Sequence, residues 1–87
     1  MVTYTGNGGL SGMEYSREKI ARTIRALRAL RDISESILSV ETGINQTRIW
    51  RIENAKADIT LRESLKISQY FDISIEEFIG DKLDIGG

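Results

Sequence analysis

The sequence predicts an all-α domain of five short helices, and three observations carry that prediction. The chain contains no proline and no alternating apolar and polar run of useful strand length. Apolar residues recur at spacings of three and four, as one face of a helix requires. Ser, Thr or Asn stands ahead of each such segment, where a side-chain oxygen can take up the free N–H groups of a first turn. With 87 residues, 40% of them hydrophobic, the chain can bury one small core, and self-association would add to its stability.

Residues 1–15 carry Gly6, Gly8, Gly9 and Gly12 among few large apolar side chains, a composition expected to form a flexible arm. The first helix follows Ser16, with Ile20, Ile24 and Leu27 as its apolar stripe and Arg17, Lys19, Arg22, Arg25, Arg28 and Arg31 around it. A second runs from Ser34 as N-cap to Thr42, and Gly43 supplies the left-handed residue that ends it. Asn45 then caps a third, Gln46 to Glu53, with Ile49 and Ile52 facing inward. Residues 54–59 read as a loop. Thr60 with Glu63, a T-x-x-E capping box, opens the fourth helix, whose inward side is expected to hold Leu61, Leu65, Ser68 and Phe71. Ser74 with Glu77 opens a brief fifth carrying Phe78 and Ile79, stopped by Gly80. The folded domain is expected over 16–81 and a tail over 82–87.

Composition narrows the chemistry. No cysteine and no histidine are present, which excludes disulfides, thiol nucleophiles, imidazole bases and the commonest zinc ligands. Glu76, Glu77, Asp81 and Asp84 cluster near the end, but capping and solvation account for them, so neither a metal nor a cofactor is expected. Paired carboxylates need a cleft that so small a bundle rarely makes, so no enzyme activity is expected. No signal-peptide pattern and no membrane-spanning run appear, which predicts a cytoplasmic protein without a membrane partner. The formal charge of −1 conceals an asymmetry: nine Lys or Arg against six Asp or Glu through residue 56, then three against seven. A nucleic-acid partner needs a positive face rather than a positive total.

Two short helices joined by a tight glycine turn, the second polar on its outer face, describe a helix-turn-helix. The run ISESILSVETGINQTRIWRIENAKADITLRESLKISQYFDISIEEFIGD resembles the phage repressor and Cro (Xre-like) family of helix-turn-helix domains. Ile33, Ser34, Leu38, Ser39, Gly43, Ile44, Ile49, Ile52, Glu53 and Asn54 occupy family-type positions, and the likeness extends over roughly residues 20–81. It implies a lambda-repressor-like fold in which the helix beginning at Gln46 enters the major groove of double-stranded DNA.

The resemblance implies base reading by Gln46, Thr47, Trp50 and Arg51. Gln can bond an adenine edge in bidentate fashion, Thr can present a methyl to thymine, and Arg can take a guanine or a phosphate. Trp50 is unusual for the family at this place; folding back onto Arg or Lys stems, packing on a partner subunit and direct base contact are its three readings. Backbone phosphates would be met by Ser34, Asn45, Arg48, Asn54 and Lys56. Glu35 departs from the family, where Gln is frequent, because a carboxylate there repels phosphate. Arg28 and Glu53 match a structural ion pair joining helix one to the end of helix three.

Thr42 stands where an apolar residue is common, Ala55 where Gly is frequent, and Ser36 with Ile37 where an acidic pair is usual. The expected function is a sequence-specific transcriptional regulator, most simply a repressor acting as a homodimer on a palindromic operator. Ile75, Ile79, Leu83 and Ile85 are the candidate dimer residues. No sensor domain is evident, so control would fall to concentration, cleavage or a regulatory protein partner. The rival reading is a protein-binding helix-turn-helix, an antirepressor or adaptor without DNA contact, which Glu35, Ile37, Trp50 and the low charge favour.

Overall fold

The computed structural model describes residues 16–80; the expected arm at 1–15, the tail at 82–87 and, with it, Leu83 and Ile85 lie outside them. Every described element is an α-helix: α1 (Arg17–Arg31), α2 (Glu35–Thr42), α3 (Gln46–Glu53), α4 (Leu61–Tyr70) and α5 (Ile75–Ile79). Each of the five N-caps expected from sequence is in use. Ser16, Ser34, Asn45, Thr60 and Ser74 all accept backbone N–H groups of the turn that follows them. Thr60 with Glu63 and Ser74 with Glu77 form complete capping boxes, so both ends of the box bond donors that a bare helix start leaves unmet.

The core is one cluster fed by every helix. Ile20 and Ile24 of α1 meet Leu38 of α2, Ile44 of the turn, Ile49 and Ile52 of α3, Ile67 and Phe71 at α4, and Phe78 of α5. Helix α1 packs on α3 and α5, while α2 packs on α3 and α4. Burial of these side chains is the main favourable contribution to folding, at about 25 cal/mol per Å² of apolar surface.

Of the four residues expected inward on α4, Ser68 and Phe71 are buried and Leu61 and Leu65 are not. Ser64, Ile67 and Ser68 face inward, whereas Leu61 is 69% and Leu65 41% exposed. The Ser64 hydroxyl donates to the Thr60 carbonyl at 3.0 Å and that of Ser68 to Leu65 at 3.1 Å. With their polarity satisfied inside the helix, two small serines allow close packing that the leucines would obstruct.

The connection between α2 and α3 is three residues long. Gly43 adopts φ 77° and donates its N–H to Ser39 at 2.8 Å; no neighbour crowds its missing Cβ, so the backbone angle alone demands glycine. Ile44 is buried, and Ser39 donates its hydroxyl to the Ile44 carbonyl. Thr42, at a customarily apolar place, hides its hydroxyl by donating to Leu38 at 2.7 Å and accepting from the Ile44 N–H at 3.3 Å. Past α3, Ala55 takes the left-handed conformation at φ 57°, where a Cβ costs about 1 kcal/mol.

Candidate nucleic-acid interface

Helix α3 has two sharply different sides. Ile49, Ile52 and Glu53 are buried, while Gln46, Thr47, Trp50 and Arg51 are exposed. Their spacing of one, three and four places these four on one side of a two-turn helix. Trp50 keeps 47% of its surface accessible. It lines an open cleft of about 360 Å³ together with Gln46, Thr47 and, from the start of α2, Glu35.

The buried side is fixed electrostatically as well as by packing. Arg28 of α1 grips the Glu53 carboxylate with two parallel bonds, Nε to Oε2 and Nη2 to Oε1, both 2.7 Å. Its Nη1 donates to the Ile33 carbonyl at 3.0 Å, so one guanidinium joins α1, the start of α2 and the end of α3. Glu53 is 2% exposed, and its hydrogen bond with Arg28 raises the guanidinium above its ordinary pKa. Arg25 adds a bond to the Glu53 carbonyl.

Arg48, expected at a phosphate, also has partners within the fold. Its guanidinium donates to Glu63 at 2.7 and 3.1 Å and to the Asp58 carbonyl at 2.6 Å, which ties α3 to the start of α4. Burial pushes the Glu63 carboxyl up, but bonds from Arg48 and the Thr60 N–H outweigh it and leave the pKa below the usual carboxylate value. A carboxylate with a depressed native pKa contributes stability above its unfolded pKa and loses it as pH falls through the native one. Stability should therefore decline on acidification below about pH 4, and Glu63→Gln should flatten that decline in urea titrations between pH 5 and 3. An unchanged acid limb would show that the Arg48 pair contributes nothing.

The remaining residues expected at phosphates are distributed around this face. The Ser34 hydroxyl accepts the Ile37 N–H at 3.1 Å, and the Asn45 side-chain Oδ1 accepts from the Thr47 and Arg48 N–H groups at 2.8 and 3.3 Å. Both are caps at exposed helix starts. Asn54 donates its amide to the Trp50 carbonyl at 2.9 Å, and Lys56 is exposed beyond it. Much of the basic excess noted in the sequence is engaged within the fold: Arg17 on Asp58 at 2.7 Å, Arg25 and Arg28 on Glu53, Arg48 on Glu63, and Arg31 on the Phe71 carbonyl at 3.1 Å, over the Tyr70 and Phe71 rings.

Glu35 is the member that sequence reasoning placed least well. Expected only to repel phosphate, it also stands beside Glu53 at the edge of the Arg28 pair, and burial followed by the Glu53 charge raises its pKa. No local signal marks that encounter, because the two carboxyls are brought together by the fold across eighteen positions.

The helix-turn-helix family model matches residues 24–78, with these two helices and their turn inside the match. The chain belongs to the Xre-like helix-turn-helix family. Among solved structures, this helix-turn-helix protein is similar to the restriction-modification controller protein C.AhdI from Aeromonas hydrophila. The two share 22% sequence identity with a TM-score of 0.68, over 71% of this chain and 94% of the other. At that identity the likeness concerns the fold. A search of curated proteins gave no significant match.

Of the candidate dimer residues, Ile75 and Ile79 are half-buried and pack against the core. Larger exposed apolar side chains lie elsewhere: Ile37 and Val40 on α2, Leu61 and Leu65 on α4, and Leu30 on α1. Glu77 accepts the Ser74 N–H at 3.0 Å, as its capping box requires, and Asp81 and Asp84 lie outside the described residues. Among the described residues no helix is long and apolar enough to cross a membrane.

Proposed function

We propose that this helix-turn-helix protein is a sequence-specific DNA-binding transcriptional regulator, acting in the cytoplasm as a homodimeric repressor on a palindromic operator. The observation that supports it most directly is the uncovered row Gln46, Thr47, Trp50 and Arg51 on a helix clamped from behind by Ile49, Ile52 and Glu53. In the major groove that row meets base edges, with Gln46 and Thr47 leading. Ser34 and Asn45 at helix starts, and Asn54 and Lys56 in the following loop, take phosphates; Arg48, held by Glu63, is left out of that set. The dimer uses the flank of α5 at Ile75 and Ile79 and sets two recognition helices about 34–36 Å apart. The controller protein of similar fold is itself named for a regulatory role.

Selection from random duplexes, followed by affinity measured against salt, tests the proposal. A palindromic motif should emerge, with a log-log salt slope of about −0.9 per neutralised phosphate. Arg51→Ala should relax sequence preference, whereas Lys56→Ala should weaken binding to every duplex alike. Identical behaviour of the two variants would overturn the division of roles. A second reading, in which the domain binds a protein instead of DNA, is favoured by the exposed Ile37 and Val40 on α2. Absence of both an enriched motif and a salt slope would select it.

A further inference from the structure

We infer that Glu35 is an electrostatic brake on the nucleic-acid face, holding down phosphate affinity so that binding depends more heavily on base contacts. The inference rests on the DNA-binding reading above and concerns how strongly, and at what pH, that face binds. Glu35 is the first residue of α2 and shares its cleft with Gln46, Thr47 and Trp50 of α3. A polyanion laid along α3 must pass over its carboxylate.

The fold supplies little to cancel that charge. The charged groups facing Glu35 are Glu53 from α3 and Arg28 from α1. Arg28 directs three donors elsewhere, two to Glu53 and one to the Ile33 carbonyl. One cation therefore serves two carboxylates, and the geometry favours the buried one. Arg17, Arg25, Arg31 and Arg48 are engaged at other places in the fold.

Two consequences follow from this arrangement. Phosphate contacts carry no sequence information, so a charge that weakens them raises the share of binding free energy that base edges supply. A phosphate brought toward Glu35 also favours its neutral form, so DNA binding favours proton uptake from solvent onto a carboxylate oxygen, with no other bond changed. Burial and Glu53 already push the Glu35 pKa up in the free protein, and a nearby polyanion pushes it further in the same direction. Affinity should rise as pH falls through the window between the free and bound pKa values, above the ordinary carboxylate range of about 4.3. No histidine exists in the chain to confuse that window.

The test compares the parent chain with Glu35→Gln and Glu35→Ala on one selected duplex and on a scrambled duplex, at pH 5.5 and 7.5. Melting curves verify folding of each variant. Both variants should bind about fivefold tighter than the parent at pH 7.5, the scale of one near-surface charge repulsion. The gain should be larger on the scrambled duplex, which narrows the specificity ratio. The parent should tighten on acidification by more than either variant, a difference from which the amino terminus, common to all three, cancels. Tightening by Glu35→Gln alone would identify a new amide contact in place of a relieved charge, and overturns the brake. So does a parent that binds DNA with no pH response, or variants that bind no tighter. If only the variants bind, the brake is upheld in its strongest form. If none of the three binds any duplex, the DNA-binding reading itself fails and takes the brake with it.

Discussion

Replacing Arg28 by alanine should destabilise the domain by about 3–5 kcal/mol, the cost of leaving a buried carboxylate without its partner. Glu53 is 2% exposed, so its carboxylate has almost no hydration to fall back on. The loss is a large part of the roughly 5–15 kcal/mol that holds a small domain together. The melting midpoint should fall by at least about 12 °C. Glu35 sharpens the effect, because the variant leaves two carboxyls facing each other with no cation between them. Adding Glu53→Gln to Arg28→Ala should recover part of the stability, since the stranded charge is gone. Equal melting temperatures for Arg28→Ala and the parent would show that the pair is not structural.

Removing the Gln46 side chain should act on the other side of the same helix and leave stability unchanged. Gln46 is exposed, and α3 keeps its cap through Asn45. If Gln46 holds an adenine edge as proposed, Gln46→Ala should lose about 1–3 kcal/mol on the preferred duplex, or roughly 5- to 150-fold in Kd. The decisive comparison is with a duplex altered at the base pair that Gln46 reads. The parent should discriminate against it, and the variant should bind both alike. Uniform weakening on every duplex would instead assign Gln46 to the backbone.

The helix boundaries were legible in the sequence because they are local chemistry. Ser34, Asn45, Thr60 and Ser74 each bond donors two or three residues away, and Gly43 answers to its own backbone angle. The exposed row on α3 was legible for the same reason, as it follows from helical spacing once Ile49 and Ile52 are placed inside. What stayed hidden depends on which partner arrives across the fold. On the inward side of α4 Ser68 and Phe71 were placed rightly, but Leu61 and Leu65 were taken in place of Ser64 and Ile67, because Ser64 looks polar until its hydroxyl is seen returned to the helix. The bond from Arg48 to Glu63 stayed hidden because nothing near Arg48 in sequence announces a partner fifteen positions on. The Arg28 bridge to Glu53 was expected through the family likeness, since apolar periodicity alone does not pair charges twenty-five residues apart.

The short link from Gly43 to Asn45 has a mechanical consequence. Its first residue is held to Ser39, its second is buried, and its third is bonded into the following turn. Helices α2 and α3 consequently behave as one stiff stencil with no hinge of their own. In the proposed complex, any misfit between that stencil and the groove has to be absorbed by bending or twisting the duplex. Base pairs that no side chain reaches would then influence occupancy through their flexibility.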